Sequence, residues 1–250
     1  MKYWRLLLLS PILLFSCQAV YVPNVRNTPL FTGKGEVQGA FAMGVNGLDL
    51  QAAGALTNHI AIMANYATVD HGTDVLDNET SAWYYEGGLG YYKNYRVTCF
   101  EIFGGYGKGS GSTQSKDDDE SLAAPQPPGG PVIASYNKIF IQPSFGWNKR
   151  RFHFSISCRL STVNFTQFSD RGVAKIAPTT FYIEPAATGR INFFDNRLFG
   201  FTQAGINMTT HTFDESTLND TSDSYYRYLN MCLGMGFRLG GKHSRTSKRE

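Results

Sequence analysis

Eight charged residues stand where a polar face is expected, inside segments in which apolar and polar residues alternate. The clearest such segment is 151–162, where Phe152, Phe154 and Ile156 alternate with His153 and Ser155. Alternation with period two is typical of a β-strand with one apolar and one polar face. If these strands close into a small barrel, the charged residues can pair as a salt-bridge network or line a water-filled pore, and the network is favoured because side chains fill the interior of such a barrel. They are Glu36, Asp49, Glu86, Glu101, Arg159, Glu184, Arg190 and Arg238.

His153 and Ser155 are also a candidate for hydrolytic chemistry, because their side chains share one face of a strand. The pair resembles the His and Ser of an outer-membrane lipid A deacylase. That chemistry takes place at the outer leaflet, whereas the neighbouring basic turn 148–150 is predicted on the periplasmic side. We therefore expect a polar pair inside a barrel and predict no catalytic residue here.

Two other groups of residues could hold a ligand or a substrate. The acidic run 117–120 offers carboxylates for Ca²⁺, but it lacks the regular spacing and the glycine of a calcium loop. His71 and His211 lie near predicted long loops, without a recognisable Ser, His and carboxylate set. The sequence therefore predicts no metal site, no cofactor and no enzymatic activity.

Cys17 is a candidate for lipid modification. Lys2 and Arg5 precede the apolar stretch 6–15, which is too short to span a bilayer as a helix and is typical of a signal peptide. The junction 14–17, Leu-Phe-Ser-Cys, resembles a lipobox, in which the cysteine receives a diacylglycerol and acyl chains such as palmitate. We predict a lipoprotein signal over 1–16; the alternative is an ordinary signal that ends near a cysteine. Three further cysteines, scattered at 99, 158 and 232, do not favour a disulfide framework or a zinc site.

The alternating segments predict an all-β fold, an antiparallel up-and-down transmembrane β-barrel of about ten strands. Short turns are predicted at 58–59, 93–95, 148–150 and 194–196, and a tight hairpin at 45–47. Longer loops are predicted at 70–80, 109–134, 166–178 and 211–224. Alternating short and long connections are typical of outer-membrane barrels. The predicted strands are 35–44, 47–56, 60–69, 81–92, 96–108, 135–147, 151–165, 179–192, 197–210 and 225–240.

An even number of strands places both chain ends on the short-turn side, which is the periplasmic side of such a barrel. This divides the chain into a signal at 1–16, a lipid-anchored tether at 17–34, a barrel domain at 35–240 and a basic periplasmic tail at 241–250. The long loops carry 13 of the 20 acidic residues and only three basic ones. A soluble β-sandwich is the alternative that composition alone leaves open.

Three sequence patches near the amino end add a resemblance. They are Tyr21-Val22-Pro23-Asn24, Pro29-Leu30-Phe31 and Gly33-Lys34-Gly35-Glu36. Together with the cysteine they resemble small outer-membrane β-barrel lipoproteins of Bacteroidetes type, a largely uncharacterised group. The resemblance implies a barrel and an outer-membrane location, and it supplies no catalytic residue.

The sequence therefore predicts an outer-membrane lipoprotein with a structural role or a role in binding through its surface loops. The expected partners are outer-membrane lipid and an extracellular partner at loops 109–134 and 211–224. Nucleic acid is not expected, because the chain without Lys2 and Arg5 has 21 basic and 20 acidic residues. The alternatives are a narrow channel, an outer-leaflet lipid-modifying enzyme and a soluble periplasmic lipid-binding barrel.

Overall fold

A computed structural model describes residues 20–71, 78–115, 130–149, 151–170, 172–176, 179–209 and 227–240. Ten strands form the wall of a barrel, and two short strands, β8 and β11, extend it at one end. The strands are β1 (Val37–Gly44), β2 (Gly47–Ala55), β3 (Ile60–His71), β4 (Asn78–Tyr95), β5 (Thr98–Ser115), β6 (Val132–Asn148), β7 (Phe152–Asp170), β8 (Val173–Ala174), β9 (Thr179–Phe193), β10 (Leu198–Ile206), β11 (Met208–Thr209) and β12 (Leu229–Leu239).

All neighbouring strands of the wall are antiparallel, and the sheet closes on itself. Strand β1 pairs with β2 on one side and with β12 on the other, from Val37–Leu239 to Gly44–Cys232. Strand β7 pairs with β9 past the short β8. The predicted up-and-down barrel is confirmed, and closure excludes the β-sandwich alternative. Among the described residues, no helix is long and apolar enough to cross a membrane.

In the apolar belt of the wall, large apolar side chains point outwards, and the charged and amide side chains of the strands point into the lumen. On β7, Phe152 is 61% exposed while His153 and Ser155 are buried. The alternation therefore has the sense predicted for a barrel in lipid, and it is opposite to that of a soluble barrel with an apolar core.

The apolar outer surface forms a belt at the short-turn end of the long strands. On β7 it runs from Phe152 to Leu160, nine residues, and tilted strands need about 9–11 residues to cross a bilayer core. Beyond Leu160 the same outer face carries Thr162 and Asn164, while the inner face becomes apolar at Val163. Strands β4 to β7 therefore project past the belt at the long-loop end.

Several predicted boundaries are wrong, among them the end of β7, which lies at Asp170 and not at 165. The loop predicted at 109–134 is shorter, because β5 continues to Ser115 and β6 begins at Val132. The first residue of the predicted loop, Gly109, lies in the wall, where a Cβ atom would lie 2.5 Å from the Tyr136 hydroxyl. The turn predicted at 93–95 lies at 96–97, where Arg96 has a φ of +43°.

Candidate functional site

Residues 20–34, here called the inner segment, fill the lumen. They are not part of the sheet and form no ladder of backbone hydrogen bonds with a strand of the wall. The segment enters at the end where the long loops lie. There Val22 packs against Val69 and Ala82. The carbonyl oxygen of Pro23 accepts hydrogen bonds from the Asn46 side chain, 3.2 Å, and the Asn230 side chain, 3.1 Å.

The segment reaches the opposite end of the barrel before the chain turns back. Phe31 packs with Tyr92 there, and the Lys34 amide donates to Asn58 beside the β2–β3 turn. The chain reverses at Gly35, whose φ of +77° favours glycine, and continues as β1. The inner segment therefore crosses the whole lumen and runs antiparallel to β1.

This course corrects the tether predicted for 17–34, as far as its residues are described. Residues 20–31 are almost all buried, whereas a tether in the periplasm would be solvated. The polar side chains at Asn24, Arg26 and Asn27 explain the difference, because the lumen offers them charged and amide partners.

A carboxylate at the centre of the lumen, Glu86, joins the segment to the wall. It accepts from Arg159 at 2.9 Å, and the Lys138 ammonium lies 3.8 Å away. The Asn24 side chain donates to the same carboxylate at 3.0 Å, and Tyr84 also donates to it. The Oδ1 atom of Asn24 accepts from Arg159 at 2.7 Å, so this one amide bridges both members of the ion pair.

A second carboxylate, Glu184, holds the long-loop half of the segment. The Tyr21 hydroxyl donates to it at 2.6 Å, and the Arg26 guanidinium lies 3.8 Å from it. Arg26 also donates to the side chain of Asn207 at 2.5 Å. Both charges of this pair belong to fully buried side chains, so the segment supplies a cation that the wall needs.

Other lumen side chains bind the backbone of the segment. Asp49 accepts from the Val25 amide at 3.0 Å, and Glu101 accepts from the Phe31 amide at 2.9 Å. Arg190 donates to the Thr28 carbonyl at 3.1 Å. Because the segment has no strand partner, these contacts satisfy backbone groups that would otherwise be buried and unpaired.

Side-chain amides of the wall also bind the backbone of the segment, as a neighbouring strand would. Gln203 accepts from the Arg26 amide at 2.8 Å and donates to the Arg26 carbonyl at 2.9 Å. Carbonyls of the segment accept from three more amides of the wall, at 2.7 to 2.9 Å: Gln38, Gln51 and Gln142.

All eight charged residues proposed from the alternation are buried in the lumen. Only two pairs bind each other, Glu86 with Arg159 and Glu36 with Arg238, the latter at 3.0 Å. Seven of the eight contact the inner segment, Arg238 being the exception. Lys138, Arg26 and the wall amides were not among the predicted residues. The alternation within β6 places Lys138 inside, and the same alternation applied to amide side chains would have found Gln38, Gln51, Gln142 and Gln203.

Aromatic clusters close the lumen above and below the polar centre. At the long-loop end, Tyr21 stacks on Tyr182 with ring centroids 4.5 Å apart and meets Tyr136 edge-on at 5.3 Å. At the short-turn end, Phe31 and Phe103 belong to one buried cluster. A cavity of about 10 Å³ between the segment and the wall has room for about one water molecule.

The remaining candidates do not form a reactive site in the described part of the chain. His153 and Ser155 are 5% and 2% exposed, and the Ser155 hydroxyl lies 3.3 Å from that of Thr28 in the segment. Across the described ranges, no three potential metal ligands come together. Cys17, the run 117–120 and His211 lie outside the described residues, as does the side chain of His71.

Comparison with known proteins adds similarity at the level of structure alone. No family model matches the chain, and no curated protein matches it. The translocator domain of autotransporter NalP from Neisseria meningitidis is 11% identical, with a TM-score of 0.42, covering 82% of this chain and 87% of that one. The copper transporter OprC is 14% identical, with a TM-score of 0.24, covering 85% of this chain and 43% of that one.

Proposed function

We propose that this chain is an outer-membrane β-barrel lipoprotein whose lumen is closed by its own amino-terminal segment, and that it acts as a membrane-embedded scaffold for its long loops. The observation that carries the proposal is the inner segment, which crosses the lumen and binds seven buried charged residues of the barrel. A barrel built in this way offers its loops, and not its lumen, to other molecules.

The membrane location is supported by the outer surface. Large side chains such as Ile139, Phe154 and Leu233 are exposed around the wall, and an exposed apolar area of this extent needs lipid around it. Barrels with short turns at one end and long loops at the other are characteristic of bacterial outer membranes. The predicted export signal at 1–16 agrees with that location.

The lipid anchor at Cys17 is proposed from the lipobox-like junction alone. Metabolic labelling with a palmitate analogue should tag the wild-type chain and leave Cys17→Ala untagged. A tag that persists in Cys17→Ala would exclude this cysteine as the modified residue.

The filled lumen argues against the narrow channel and the lipid-binding barrel. A channel needs a continuous water path, and a lipid-binding barrel needs a cavity of several hundred Å³, on the order of the volume of a ligand pocket. A lipid-modifying enzyme would need an accessible nucleophile and base, and His153 and Ser155 are covered by the segment. We therefore propose a non-enzymatic role, with partners at the connection between Ser115 and Val132 and at loop 211–224, and no nucleic acid among them.

Planar-bilayer recording tests the closed barrel. The refolded chain should insert without giving stable conductance steps. To open it without disturbing folding, a protease site is inserted next to Lys34, which is exposed in the turn between the segment and β1. Cleavage after refolding, followed by mild urea to release the segment, should produce stable steps.

The matched control carries the same protease site in the long loop near Ser121, where cleavage leaves the segment attached to β1. This variant should stay closed under the same urea treatment. Stable conductance of the intact chain would contradict the proposal, as would conductance that appears equally in both cleaved variants.

A further inference from the structure

The end at which the inner segment enters the barrel determines where the amino terminus lies. Val20 sits against Gly111, at the long-loop end of β5, so closely that a Cβ atom at position 111 would lie 2.2 Å from the Val20 carbonyl oxygen. The Arg227 amide, at the end of the β10–β12 connection, donates to the carbonyl of Tyr21 at 3.3 Å. These contacts place residues 20 and 21 at the opposite end of the barrel from the start of β1.

We infer that the amino terminus leaves the barrel on the side of the long acidic loops, so that the lipid on Cys17 inserts into the outer leaflet at the cell surface. The inference rests on the proposed function for the lipid itself and for the outer-membrane location. Two residues, Gln18 and Ala19, separate Cys17 from Val20, and these three residue steps span at most about 10 Å. Such a length cannot lead back through a lumen that fifteen residues of the segment occupy.

This placement reverses one step of the sequence argument. Counting strands puts the start of β1 and the end of β12 on the short-turn side, and Cys17 was predicted on that side as well. The inner segment adds one more crossing of the barrel before β1. The amino terminus and Gly240, at the end of β12, therefore lie at opposite ends.

Engineered disulfides test the direction of threading in the refolded full-length chain. Val22→Cys combined with Ala82→Cys should form a bond under mild oxidation, because both side chains belong to one cluster at the long-loop end. Val22→Cys combined with Ala55→Cys is the control, since Ala55 lies in the cluster at the short-turn end. A bond in the control pair and none in the first pair would overturn the inference.

A membrane-impermeant maleimide then tests the cell surface. Ala19→Cys and Ser121→Cys should react on intact cells, and Ser247→Cys only after permeabilisation. Reaction of position 19 together with position 247 overturns the inference. Reaction of positions 19 and 121 only after permeabilisation overturns the surface placement. These readouts do not depend on conductance or on the palmitate analogue, so failure of the proposed function is seen separately.

Discussion

Asn24 should contribute more to stability than any other amide of the inner segment, and Asn27 provides a control in the same segment. The Asn24 side chain donates to Glu86 at 3.0 Å and accepts from Arg159 at 2.7 Å, and both partners are charged and fully buried. The Asn27 side chain donates to the Ala52 carbonyl at 3.2 Å and to the Asn65 side chain at 2.8 Å, and both of these partners are neutral.

The difference in partner charge sets the magnitude. A hydrogen bond to a charged group contributes about 1.5–3 kcal/mol and a neutral one about 0.5–1.5 kcal/mol. Two bonds of each kind give about 3–6 kcal/mol for Asn24→Ala and about 1–3 kcal/mol for Asn27→Ala. The higher figures apply where truncation of the asparagine leaves its buried partner without another hydrogen bond. We therefore expect Asn24→Ala to lower the free energy of unfolding by about 2–3 kcal/mol more than Asn27→Ala.

Urea unfolding of the refolded barrel in lipid vesicles, followed by tryptophan fluorescence and heat-modifiable gel migration, measures both values. The two variants remove the same atoms three residues apart, so differences in chain entropy are small. Equal losses of stability would refute the reasoning that the segment is held chiefly by the central ion pair. A larger loss for Asn27→Ala would also refute it.

Two more pairs of substitutions test the wall. Ile156→Arg places a cation in the apolar belt and should lower the free energy of unfolding by about 2–4 kcal/mol, whereas Asn164→Arg, on the same face beyond the belt, should leave it nearly unchanged. Urea midpoints in vesicles compare the two variants. Equal losses of stability would contradict the apolar belt. Gly107→Ala should slow or prevent refolding, because its Cβ atom would lie 2.5 Å from the Tyr84 hydroxyl. The control is Gly104→Ala, whose Cβ atom would meet no atom closer than 3.8 Å. Gel migration measures the folded fraction, and equal refolding of both variants would show that the tyrosine moves aside.

The barrel could be predicted from the sequence because its signal is local. Alternation of the kind seen from Phe152 to Leu160 fixes both the strand and the face that meets lipid, and turn residues fix where the strand ends. Strand β5 shows the limit of this method. Gly109 falls in a predicted loop, and only the tyrosine ring packed beside it explains why a strand has glycine there.

The inner segment could not be predicted in the same way, because its partners are distant in sequence and it has no periodicity. Asn24 meets residues 62 and 135 positions away, and Tyr21 meets Glu184 across 163 positions. The indication available in the sequence was that more charged residues face the lumen than can pair with one another. Asp49 and Glu101 were grouped into a network, but each binds a backbone amide of the segment and neither pairs with a cation of the wall in the described contacts.

The inner segment directly precedes the strand that closes the barrel, and this links its burial to closure. Strand β1 closes on β12, and both of these strands also bind the segment: Gln38 donates to the Pro29 carbonyl at 2.7 Å, and Asn230 donates to the Pro23 carbonyl at 3.1 Å. Aromatic clusters fill both ends of the lumen, and packed interiors leave no room for a chain to enter afterwards. We therefore expect the segment to be in place when β1 and β12 pair, and its contacts with both strands stabilise that seam as well as the lumen.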